Sequence, residues 1–116
     1  MADSRVVSGT IGFTQAAPAA GSVVHVLIEE VTRADAAATV AARIDLPLHT
    51  APAFGARVPF ALPVFNVDAA KRYAVRVHVD RSGNGRIEPG DQISMQSYPV
   101  LTQGSPPEAA VDVSPI

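Results

Sequence analysis

The chain has no cysteine and no tryptophan, and its aromatics amount to two Tyr and four Phe. Without cysteine there can be no disulfide, no thiolate metal site, no Cys nucleophile and no lipid-accepting Cys within these residues. Long apolar runs are also missing. Nothing approaches the roughly 20 residues that span a bilayer as a helix, so membrane insertion of that kind is excluded. Neither sign of charge dominates: nine Lys and Arg face eleven Asp and Glu, for a net charge of −2. The basic residues are scattered singly, which gives no footprint for nucleic acid or an anionic membrane. Catalytic signatures are absent as well, since no Gly-x-Ser-x-Gly elbow, phosphate-binding glycine loop or Walker pattern occurs. Glu29 and Glu30 are adjacent on an expected strand, so they point to opposite faces and cannot work as a carboxylate pair. An enzyme is not expected.

What is present is 47% apolar residues, with ten Pro and eight Gly spread along all 116 positions. Proline and glycine at that density break any long helix, and short Val-rich runs between them read as strands. Strands are expected at about 5–13, 23–31, 38–46, 57–62, 72–80 and 93–101, with a possible seventh at 109–113. Pro59 and Pro63 confine the fourth to an edge. The stretch 66–71 offers one helical turn capped by Asn66 or Asp68, and 32–37 reads as a turn with Arg33 and Asp35 in solvent. The fold class is therefore all-β, a two-sheet β-sandwich of about seven strands with immunoglobulin-like or transthyretin-like character. One domain covers 1–116, ordered over about 5–103, with 104–116 partly flexible. The core is expected from Ile11 and Phe13, from Val24, Val26 and Ile28, from Phe60, and from Tyr73, Val75, Val77 and Ile93. Ile87 is expected to tuck under the sheet edge. The amino end lacks a signal-peptide pattern, which fits either a cytoplasmic protein or an exported one whose signal has been removed.

One segment carries chemistry. Residues 80–91 have the spacing of a 12-residue calcium loop. Asp80, Ser82 and Asn84 place side-chain oxygens at its first, third and fifth positions, and Gly85 supplies the sharp turn. Arg86 offers a carbonyl, Glu88 a further carboxylate, and Asp91 closes the ring. A hard cation needs six to eight oxygens at about 2.3–2.6 Å, and alternate residues of a tight loop can aim them inward. With Ser82 and Asn84 neutral and Asp91 shorter than the usual Glu, Ca²⁺ binding would be weak, on the order of 10⁻⁴–10⁻³ M, and structural. The same residues also fit a plain hairpin, with Gly83 and Gly85 at positive φ and Asp80 making an Asx-turn. Both readings stand. His25 and His78 lie on strands and can face each other across them. With no third ligand at a recognisable spacing, they read as exposed histidines beside Arg76. His49 reads as part of a connection, and Arg72, Arg76 and His78 as a solvated basic stripe.

The order of several short pieces resembles the YbaY/YscW family of lipoproteins. These pieces are Val7-Ser8-Gly9-Thr10-Ile11, the run from Val24 to Asp35, Val58-Pro59-Phe60-Ala61-Leu62-Pro63, and Arg72-Tyr73-Ala74-Val75-Arg76-Val77. The resemblance implies a small bacterial β-sandwich of the periplasm or cell envelope, without catalytic residues. Some members of that family act as pilotins, carrying a secretin subunit to the outer membrane through an amino-terminal lipid. It thus implies a non-catalytic binding or assembly module that meets an envelope protein by edge-strand or surface docking. This chain departs from the pilotin pattern in having no lipid-accepting Cys. The alternative is a calcium-stabilised structural domain of an extracellular assembly. Partner identity and oligomeric state are not readable from the sequence.

Overall fold

The computed structural model describes residues 4–31, 37–53 and 55–116. Apart from Ala37, the turn expected at 32–37 lies outside them. Eight strands follow in chain order: β1 (Arg5–Phe13), β2 (Val23–Glu30), β3 (Thr39–Pro47), β4 (Val58–Val64), β5 (Tyr73–Asp80), β6 (Gln92–Ser94), β7 (Tyr98–Val100) and β8 (Glu108–Pro115). Among the described residues there is no helix; the stretch after Val64 makes only a turn, in which Asp68 accepts from the Lys71 and Ala70 amides. The all-β expectation holds.

Pairing runs β3-β2-β5-β6-β8-β1-β4, and β7 also pairs with β5. The end strands β3 and β4 approach each other, so the sheet curls into a nearly closed barrel. Hydrogen bonding therefore follows one continuous sheet, and its pairing does not divide into the two sheets expected. The expected sixth strand is split into β6 and β7, with exposed Met95, Gln96 and Ser97 between them. All pairs are antiparallel except β1 with β8, which run parallel with Ile11 opposite Val111. Within 104–116, residues 108–115 form β8. β8 lies between β6 and β1, and its Val111 and Val113 are fully buried because the barrel needs a strand there.

Alternation decides which residues face inward. On β5, Tyr73, Val75, Val77 and Val79 line the core, packed against Val24, Val26 and Ile28 of β2. Phe60, Leu62 and Val64 of β4 close the other side. Phe13 packs only at the edge of this cluster. Ile93 is not in it, because it pairs with His78 on the outer face. Ile87 is 49% exposed rather than tucked under the sheet.

Candidate functional site

The outer face of β2 and β5 is where the chain departs from a solvated sheet. His25 and His78 are register partners on these strands, so both side chains leave the same face. Asp80, two residues after His78, shares that face by the period-2 rule. The connection from Asp80 to Asp91 then folds back over them. Gly83 and Gly85 have φ of 75° and 80°, which L-residues with a side chain rarely adopt. These turns point the loop's amides inward. The outcome is a buried polar layer: His25, His78, Asp80 and Asp91 are each less than 9% exposed. The expectation of exposed histidines is thus corrected, since the loop that follows β5 covers both rings.

Both oxygens of each carboxylate are engaged. Asp80 Oδ1 accepts from the Gly83 amide at 3.0 Å. Its Oδ2 accepts from the Gly85 amide at 2.7 Å and meets His25 Nε2 at 3.0 Å. Asp91 repeats the pattern: Oδ1 accepts from the Arg81 amide at 3.0 Å, while Oδ2 accepts from the Glu88 amide at 3.1 Å and meets His78 Nε2 at 2.8 Å. The other ring nitrogen of His25, Nδ1, lies 2.6 Å from Asp45 Oδ1 on β3, and Arg43 Nε donates to that same oxygen at 3.0 Å. For both His25 contacts to be hydrogen bonds, both ring nitrogens must carry protons. The imidazole rings stand 5.3 Å apart between centroids, tilted by 41°.

Burial works to raise the carboxyl pKa of Asp80. The hydrogen bonds from His25, Gly85 and Gly83, together with the attraction of His78, outweigh it and hold the group below its ordinary value. Asp91 is held low in the same manner, against burial, by His78 and the Arg81 and Glu88 amides. Asp45 is lowered chiefly by its bond to His25 and also by Arg43, although solvent screens this half-exposed group. The ordinary value for all three is 3.8. A carboxyl depressed in the folded state contributes stability that is complete above its unfolded pKa and is lost as pH falls through the folded one. The contribution of these three carboxyls should therefore be complete above about pH 5, and the melting temperature should drop steeply below about pH 4. Thermal melts across that range check this, and a decline already complete by pH 5 would contradict it.

Within the loop, Ser82, Asn84 and Glu88 hydrogen-bond to one another and to the backbone. Asn84 Oδ1 accepts from the Arg86 amide at 2.9 Å. Ser82 Oγ and Asn84 Nδ2 both donate to Glu88 Oε1, at 3.2 and 2.6 Å. Asp45 and Arg43 went unnoticed in the sequence because they reach His25 from a strand about twenty residues away, and only the β2–β3 register brings them there. Arg76 lies near Glu29, with 3.9 Å between charged atoms, so the basic stripe is partly neutralised. A small cleft of about 200 Å³ beside the two histidines is lined by Leu27, Arg43, Arg76 and Ile87 among others.

A second surface feature lies across the barrel. On β4, Pro59, Ala61 and Pro63 face outward, and Val6 of β1 is the register partner of Pro63. Val6 is 58% exposed, and Phe65, just beyond β4, 63%.

Comparison with known proteins gave two matches. Residues 2–113 match the family described as "Type III secretion system lipoprotein chaperone (YscW)". The fold matches the solved structure of an alternative pilotin from the type II secretion system of Vibrio cholerae, with a TM-score of 0.71 and 21% sequence identity over 98% of each chain. No curated protein sequence matched.

Proposed function

Because the chain belongs to the YscW family of type III secretion system lipoprotein chaperones, we propose that it is a non-catalytic assembly factor of a bacterial secretion system, acting in the cell envelope on a secretin subunit. The family match over residues 2–113, nearly the whole chain, carries this reading. The solved relative of the same fold is itself a pilotin. The partner segment docks on the outer face of β1 and β4. Contiguous exposed apolar side chains on a small soluble domain mark an interaction surface, and here Val6, Pro63 and Phe65 supply one. The two prolines deprive the β4 edge of N–H donors, so docking there is by side-chain contact rather than by strand addition.

Co-expression with the secretin of the same secretion system tests this. The purified chain should retain the secretin subunit, and Phe65→Asp should weaken retention at least tenfold without changing the melt. Failure to retain any secretin subunit of that system would sink the proposal.

A second reading is favoured by one observation: Ser82 and Asn84, at the third and fifth loop positions, converge on Glu88 at the ninth. A calcium ion held there would draw on Asp80, Ser82, Asn84, the Arg86 carbonyl, Glu88 and Asp91, and would stiffen the loop. Asp80 and Asp91 each already accept three hydrogen bonds, which leaves about one lone pair apiece for a cation. Amide spectra recorded in EDTA and then in 10 mM Ca²⁺ decide this reading, which requires shifts confined to residues 80–91.

A further inference from the structure

We propose that His25, His78 and Asp80 form a binding site for a transition-metal dication of the Zn²⁺ class, separate in chemistry from the oxygen set of the loop. One ligand atom from each residue lies within 4.8 Å of the other two, and all three residues are buried. His25 Nε2 and Asp80 Oδ2 are already 3.0 Å apart, close to the roughly 3.3 Å between ligands of a tetrahedral ion with bonds of about 2.0 Å. Two imidazoles and one carboxylate are a borderline nitrogen and oxygen set, which suits Zn²⁺, Co²⁺ or Ni²⁺ and not the hard ions Ca²⁺ and Mg²⁺.

The supporting contacts are those a metal site needs. A metal-bound histidine characteristically donates its other ring N–H to a carboxylate, which fixes the tautomer and the ring's aim. His25 Nδ1 has that partner in Asp45 at 2.6 Å, itself held by Arg43. The Asp80 carboxylate is oriented by the Gly83 and Gly85 amides. His25 and His78 are fixed opposite each other by strand register rather than by a mobile loop. Both histidines border a cleft of about 200 Å³ that Glu29, Arg43, Arg76 and Ile87 also line, which would give the ion a path. On binding, each ring bonds the metal through the lone pair of one ring nitrogen, and any proton that nitrogen carried passes to solvent.

The probe is Co²⁺, added to the full chain at pH 7.5 and then displaced by Zn²⁺. One equivalent should give the visible absorption of a four-coordinate site, unchanged by 5 mM Ca²⁺ or Mg²⁺. His78→Gln should abolish the band and His49→Gln should leave it. Asp45→Asn should weaken binding about tenfold to a hundredfold, the usual effect of losing a supporting carboxylate. So that the reading does not depend on the folding of buried variants, the wild-type chain is also read by ¹⁵N spectra of its histidine rings. There Zn²⁺ should move ring-nitrogen signals of His25 and His78 and leave those of His49 in place. Zn²⁺ at 1 mM that moves neither ring, or Co²⁺ binding that survives in folded His78→Gln, overturns the proposal.

Discussion

Asp80→Ala, melted in EDTA, should lose about 3–5 kcal/mol of stability, the usual consequence of removing one partner from a buried charged pair. In a domain of this size that corresponds to a fall in melting temperature of about 10 °C or more. The cost lies in what would be left behind. Two loop amides and His25 Nε2 now converge on this one carboxylate, which has no exposed surface. Alanine fills neither the space nor the acceptor role, and water has little access to replace it. Unpaired donors would be stranded under the loop, each costing about 1–3 kcal/mol. Ser82→Ala and Asn84→Ala are the controls. Both side chains are exposed, and each should stay within about 0.5 kcal/mol of wild type. Equal effects at Asp80 and Ser82 would mean that the loop is not fastened to the sheet through the carboxylate.

Gly9→Ala should be nearly as damaging, at about 3 kcal/mol, the upper end of what overpacking usually costs. Gly9 has no unusual φ, so conformational freedom is not its role. A Cβ there would fall 1.9 Å from the Ala109 carbonyl oxygen and 3.0 Å from the Phe60 ring. The first obstacle is backbone and cannot rotate away, so β1 and β8 would have to move apart along their parallel pairing. Chemical denaturation of Gly9→Ala beside Ala61→Ser, an exposed control on β4, measures this. A wild-type midpoint in Gly9→Ala would mean that β1 and β8 do not lie in this register.

These two positions also mark what sequence reasoning reaches. The alternation of Val75, Val77 and Val79 and the prolines of β4 are local signals, and they locate the strands and the edge correctly. The family resemblance, carried by the order of short hydrophobic pieces, is met by the match over residues 2–113. The curl of the sheet is not local. It depends on β8 sliding between β6 and β1, and a weak run such as Ala109-Ala110-Val111 shows no sign that it will be buried. The histidines illustrate the same limit. Alternation put His25 and His78 on a polar face, and polar faces are ordinarily wet. Only the fold of the glycine-bearing loop over that face buries them, and only register adds Asp45. The loop's spacing was readable because its residues are adjacent in the chain. What its carboxylates touch was not, because the sheet presents those partners.

The position of β8 has a bearing on how the protein comes into being. β1, which precedes the other seven strands in the chain, has β4 on one side and β8 on the other. Beyond β8, the Ile116 amide donates to the Asp91 carbonyl and the Gly90 amide donates to the Ile116 carbonyl. The barrel therefore cannot close, nor the loop over the histidines be locked, until residues 108–116 have left the ribosome. Pairing between strands so far apart in the sequence is intrinsically slow. During synthesis β1 waits with one edge bare until β8 arrives.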